Sequence, residues 1–172
     1  NGGGSLSEAL ELTGLFIDRG PIVQTKDASG RVDINYDPEP GIIYPGPLAV
    51  LVDRNSASAS EIFAGAIQDY RRGIIVGEPT FGKGTVQNVV NLNNFIEDSD
   101  EDHGRLKTTI AQFFRVSGGS NQHKGVVPDI IFPTAEYSSD QGERAYENAL
   151  PWDQVKPARY YPSNAPVEQF EI

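Results

Sequence analysis

The stretch that most limits what this chain can fold into runs from Leu48 to Gln87, LAVLVDRNSASASEIFAGAIQDYRRGIIVGEPTFGKGTVQ. Leu48 to Val52 is a continuous apolar run that reads as a buried strand, while Ile62, Phe63, Ala66, Ile67 and Tyr70 recur at helical spacing. Gly73 predicts the end of that helix, and Ile74 to Val76 is then too short for anything but a strand. Thr85 to Leu92, TVQNVVNL, reads as a further strand. The order is strand, serine-rich turn, helix, strand and a glycine-rich loop carrying a lysine.

Ser58 stands where the helix begins, and its spacing supports two readings. With Glu61 three residues later it fits a capping box, in which serine oxygen and glutamate each satisfy a backbone N–H of the other's turn. The same place suits a nucleophile. A serine on a strand-to-helix turn is exposed, and the N–H of Ala59 behind it can stabilise an oxyanion with help from the helix dipole.

Gly77-x-x-x-x-Gly82-Lys83 matches most of a phosphate-binding P-loop and follows a strand as such a loop does. Three features oppose nucleotide binding. Gly84 stands where a magnesium-binding Ser or Thr belongs, Glu78 sets a carboxylate among phosphates, and the strand from Thr85 replaces the helix whose N-terminus would hold the anion.

Around this centre the chain reads as short elements. Ser5 and Glu8 form a second capping-box pattern ahead of a helix from Leu6 to Phe16. Ile22 to Lys26 and Val32 to Tyr36 flank Asp27-Ala-Ser-Gly30 as a hairpin, and prolines 38, 40, 45 and 47 hold the following segment extended. NNFIEDSDEDHGR is the most acidic stretch. Asp98, Asp100 and Asp102 lack the glycine and terminal glutamate of an EF-hand loop, so it reads as a solvated loop. Arg105 to Val116 is a long strand, and Val126 to Phe132 an edge strand entered through Pro128. From Thr134 the chain turns polar, with a short helix expected over 141–149 and Trp152 anchoring the tail.

The 172 residues suffice for one domain with a sizeable core. A net charge of −10 argues against nucleic acid, which requires a basic face. The absence of cysteine removes thiolate nucleophiles, thiolate metal sites and disulfides, and is compatible with an oxidising compartment. No apolar run is long enough for a transmembrane helix, so an integral membrane protein is not expected. The chain begins at Asn1 without a methionine or leader, and is expected to be a fragment whose secretion signal lies elsewhere.

The segments NGGGSL, GPLAVLVDR, SASASEIFAGAIQDY, VGEPTFGKGTVQ, KGVVPDIIFPT and NALPWD resemble the C-terminal processing peptidases, or tail-specific proteases, with the last similar to their long periplasmic branch. The resemblance implies an α/β fold with a mixed central sheet flanked by helices, the crotonase-like (ClpP/crotonase) protease core, here incomplete at the N-terminus. It implies a protease part over 1–133 and a polar extension over 134–172 leading into a following domain. Preceding strands and the peptide-binding PDZ domain are expected to be missing, leaving the fragment inactive alone.

By the same resemblance Ser58 matches the nucleophile, Lys83 the general base, Gln87 the residue orienting that lysine, and Ala59 one oxyanion-hole amide. Gly4 matches the other amide by spacing, with Gly3 the alternative. The implied activity is serine endopeptidase cleavage of unfolded or C-terminally exposed proteins in the periplasm, with room for an adaptor protein and no metal or cofactor. An ordinary lysine is neutral in only about 4 molecules in 10,000 at pH 7, so a base at Lys83 requires a desolvated setting, which Phe81, Val86 and the apolar strands can supply. His103 and His123, both in loop-like segments, are the alternative bases. A binding or scaffolding module without catalysis is the reading from a different class.

Overall fold

The computed structural model describes residues 1–39, 41–96, 101–133 and 141–162. Its elements are α1 (Leu6–Gly14), β1 (Pro21–Asp27), β2 (Val32–Tyr36), β3 (Ala49–Val52), α2 (Ala59–Asp69), β4 (Ile74–Gly77), β5 (Thr85–Asn91), β6 (Arg105–Phe114) and β7 (Ile130–Ile131). Short 3-10 turns occupy Leu92–Phe95 and Glu143–Ala145. The architecture is α/β with both parallel and antiparallel pairing, as the resemblance implies, and the strands divide between two sheets. One is antiparallel in the order β2-β1-β6-β5, and the other is parallel in the order β3-β4-β7.

Helix α2 lies at the centre because its apolar face is wide. Ile62, Ala66 and Ile67 are buried with Ile75 of β4, Val23 of β1 and Phe113 of β6. Tyr70 closes the helix, its hydroxyl donating to the Pro21 carbonyl at 2.8 Å, which satisfies a polar atom inside the core. Beyond it, Arg115 grips Asp69 through Nε at 3.0 Å and Nη2 at 2.7 Å, fixing the end of α2 against the chain leaving β6.

Three expectations change. β3 is an edge strand and not a fully buried one. Leu51 is 75% exposed, and only Val52 of the strand is buried. Ser5 occupies the N-cap of α1 without capping through its side chain, which instead pairs with the Ser7 hydroxyl at 2.7 Å. The helix expected over 141–149 is only the Glu143–Ala145 turn, since Tyr146 adopts extended backbone and Pro151 soon follows. Of the acidic loop, residues 97–100 lie outside the described residues, as do 134–140 and 163–172 of the polar extension.

The described part of that extension is a strap over the sheet end. Glu143 N–H bonds the Phe81 carbonyl at 2.9 Å, Val155 N–H the Gly118 carbonyl at 2.8 Å and Ala158 N–H the Val116 carbonyl at 2.9 Å. Trp152 is the anchor anticipated for it, with Nε1 donating to the Ser120 carbonyl at 2.9 Å and Lys124 Nζ 3.7 Å from the ring centroid. No helix among the described residues is long and apolar enough to cross a membrane.

Candidate active site

Three chain segments meet at the N-terminus of α2. They are the glycine run at residues 1–4, the turn that delivers Ser58, and the loop from Gly77 to Gly84.

Ser58 is the N-cap of α2 with φ 56° and ψ −117°, a conformation L side chains rarely adopt. The turn is held from both sides. Ala57 N–H bonds the Asn1 carbonyl at 3.1 Å, and Ser58 N–H donates to Glu61 Oε2 at 2.8 Å. Ser58 and Glu61 form the capping box read from their spacing, and Glu61 N–H also bonds the Ser58 carbonyl at 2.9 Å. Gly3, with φ +102°, packs so closely that a Cβ there would lie 2.8 Å from Ser58 Cβ and 2.7 Å from the Ala57 carbonyl oxygen.

The glycines around Lys83 have a structural use that explains the false P-loop match. A Cβ on Gly82 would approach the His123 carbonyl carbon to 2.9 Å, and one on Gly84 would approach the Gln122 nitrogen to 2.8 Å. Gly84 N–H donates to Gln122 Oε1 at 2.8 Å, and the Gly82 carbonyl accepts His123 N–H at 2.9 Å. The loop is thus packed against residues 120–123 and leads into strand β5 rather than a helix, while Glu78 pairs with Arg54 at 2.7 Å. The nucleotide-binding reading has no phosphate cradle to rest on.

Glu61, read from sequence only as a capping residue, joins the two loops. Its carboxylate is fully buried and accepts four bonds: Thr80 Oγ1 at 2.5 Å and Gly82 N at 2.7 Å on Oε1, Ser58 N at 2.8 Å and Lys83 N at 3.0 Å on Oε2. Burial pushes its pKa up to about 7, against the pull of these donors. Thr80 cannot redirect freely, because its hydroxyl oxygen also accepts Val126 N–H at 2.7 Å.

The result is a cleft of about 380 Å3 with Ser58, Ala59, Gly4, Lys83, Gln87 and Lys107 in its walls. Ser58 and Lys83 are each half-buried. The Lys83 pKa is lowered, first by burial and then by the charge of Lys107, while Glu143 and Glu61 oppose the shift. Among the described residues no hydrogen bond joins Ser58 Oγ to Lys83 Nζ or Gln87 to Lys83. The Gln87 amide instead makes a long contact to Thr109 Oγ1 at 3.5 Å.

Of the two candidate glycines, Gly4 lines this cleft, whereas Gly3 N–H is already donated to Asn1 Oδ1 at 3.1 Å. Ala59 is buried at the first position of α2, where backbone N–H groups lack helical acceptors. Neither histidine is in the wall. His123 Nε2 is 2.7 Å from the Leu150 carbonyl, and His103 sits beside Asn93, its N–H bonded to Oδ1 at 2.9 Å. The described residues hold no cluster of His, Cys, Asp and Glu able to bind a metal ion.

Comparison with known proteins gives this arrangement a context. A profile of peptidase family S41 matches residues 1–132, and one of the C-terminal domain of tail specific protease matches residues 137–170. The chain is 53% identical over 161 residues to a tail-specific protease of Haemophilus influenzae, covering 93% of this chain and 23% of that protein. It is 39% identical over 134 residues to the chloroplastic carboxyl-terminal-processing peptidase 2 of Arabidopsis thaliana, covering 77% of this chain and 24% of that protein. A solved photosystem II D1 C-terminal processing protease superposes with a TM-score of 0.65 at 38% identity, covering 77% of this chain and 32% of that one. The chain therefore spans about a quarter to a third of the length of these relatives.

Proposed function

Because the chain belongs to peptidase family S41, we propose that Ser58 and Lys83 are the nucleophile and general base of a serine endopeptidase that cleaves protein substrates near their C-termini. The observation that carries this is the shared cleft: a serine held at positive φ on a helix N-terminus shares it with a lysine whose pKa is lowered chiefly by burial.

In this reaction Ser58 Oγ attacks the scissile carbonyl while the neutral Lys83 amine takes its proton. The tetrahedral oxyanion sits against the N–H groups of Ala59 and Gly4, with the α2 dipole behind the first. Lys83 then delivers the proton to the leaving amine, and afterwards takes one from the water that hydrolyses the acyl-enzyme. Gln87, in the wall of the same cleft, is the residue whose amide orients the lysine amine.

The activity belongs to the whole protein, and the 172 residues alone are expected to be inactive. Unfolded or C-terminally exposed proteins in the periplasm are the substrates that resemblance to the tail-specific proteases suggests. A chain with no cysteine fits that compartment. Degradation of fluorescein-labelled casein by the full-length protein, lost in Ser58→Ala, is the expected result. Binding of casein without cleavage by the wild type would favour the scaffolding reading.

A further inference from the structure

Lys107 was not singled out by any sequence motif, yet it faces the same space as the dyad. In the β5–β6 ladder Gln87 pairs with Thr109 and Val89 with Lys107. Directly opposed residues of an antiparallel pair share a face, so Lys107 is the diagonal neighbour of Gln87, within reach for a long side chain. Lys83 and Lys107 both line the Ser58 cleft, and both line a second, polar cavity of about 360 Å3 beside it, closed by Glu143, Tyr146 and Asn148 of the strap. Two lysines therefore border the same two cavities, one half-buried and one exposed.

We propose that Lys107 is a positioning residue for the reaction, holding a second positive charge against the cleft so that Lys83 meets Ser58 as the free amine.

The charges around the pair fit that role. Glu61 approaches from α2, but four donors already occupy its two oxygens, so it is not open to either ammonium. Glu143 approaches from the strap, where its Oε1 accepts Gln122 Nε2 at 3.3 Å. Tyr146 adds a phenol from the same strap, and Arg105 a further positive charge two residues back on the Lys107 face of β6. No ion pair of Lys83 or Lys107 occurs among the described residues. Lys107 itself is exposed, so its charge costs the fold little, while its place on β6 keeps it in the wall of the cleft. A neighbouring cation is one of the established means of keeping a lysine amine unprotonated near neutral pH, and here it adds to the burial that already disfavours Lys83 as an ammonium.

This inference rests on the dyad reading, and one set of pH profiles separates the two. In the full-length protein, kcat/KM for fluorescein-labelled casein is measured across the neutral and alkaline range for the wild type, Lys107→Met, Lys107→Glu, Lys107→Arg and Lys83→Arg. The rising limb is expected to move to higher pH in Lys107→Met, further in Lys107→Glu, and to stay in place in Lys107→Arg. Activity at neutral pH then falls severalfold in Lys107→Met and returns to the wild-type level on the alkaline plateau. A limb unmoved in both Lys107→Met and Lys107→Glu overturns the proposal, as does an equal loss at every pH. A limb that survives in Lys83→Arg overturns the dyad reading itself.

Discussion

The Glu61 carboxylate accepts the backbone N–H of Ser58 at 2.8 Å and that of Lys83 at 3.0 Å through the same oxygen, although the two residues lie on different loops. One buried acid therefore ties the backbone at the proposed nucleophile to the backbone at its base.

A first prediction follows from the chemistry of four donors. A carboxylate accepts on both oxygens, whereas an amide accepts on one and donates on the other, so Glu61→Gln must turn its NH2 toward either Thr80 and Gly82 or Ser58 and Lys83. Either the Thr80 hydroxyl and Gly82 N–H or the Ser58 and Lys83 N–H groups then lose their acceptor, at about 1–3 kcal/mol for each donor left unpaired. Turnover of casein is expected to fall by more than about tenfold, since each 1.36 kcal/mol lost at the transition state is a factor of ten. Unchanged kcat with an unchanged melting temperature would remove Glu61 from the account.

Stability should also report on Glu61. Its folded pKa is raised from 4.5 to about 7, so between those values the folded state binds more protons than the unfolded one. Its contribution is fully present below the unfolded value and is lost as pH rises through about 7. At 1.36 kcal/mol per unit, the stability of the wild type relative to Glu61→Gln is expected to fall by about 3 kcal/mol across that window and then level off. Urea titrations at several pH values test this, and a difference that grows with rising pH contradicts it.

The local frame of the candidate site is legible in the sequence, because local pattern and local structure coincide there. Helical spacing placed α2 after Ser58, and Ser58 with Glu61 was recognisable as a capping box. What sequence spacing did not reveal was long-range. Glu61 reaches Gly82 and Lys83 across more than twenty positions, and Lys107 enters only through β5–β6 register. Likewise the edge position of β3 depends on which strands pair, which an apolar run does not encode. The missing helix after Gln141 was a matter of competing contacts, since the strap is held by bonds to Phe81, Gln122 and Trp152's neighbours instead of its own turns.

The two glycines beside Ser58 should respond in opposite ways to a methyl group. Gly3→Ala forces an L residue to φ +102° and drives its Cβ into Ser58 Cβ and the Ala57 carbonyl. Displacing the loop removes the Gly4 donor, and losing one oxyanion donor costs about 100-fold to 1,000-fold in kcat. Gly4→Ala keeps the N–H and meets nothing within 4 Å, so its kcat is expected to stay within about threefold of wild type, well under the cost of a lost donor. Wild-type kcat in Gly3→Ala would show that the packing of Gly3 against Ser58 does not hold the oxyanion hole.

The most direct test of the central claim, that Lys83 acts as the neutral base for Ser58, is the pH dependence of kcat/KM in the full-length wild type beside Lys83→Arg. Burial and the charge of Lys107 lower the Lys83 pKa, so wild-type activity should rise with pH through a group titrating below the ordinary lysine range. Arginine preserves the charge but does not deprotonate in proteins, so Lys83→Arg is expected to have no activity at any pH while folding normally. Full activity in Lys83→Arg, or a rising limb that disappears with His123 instead, would contradict the account.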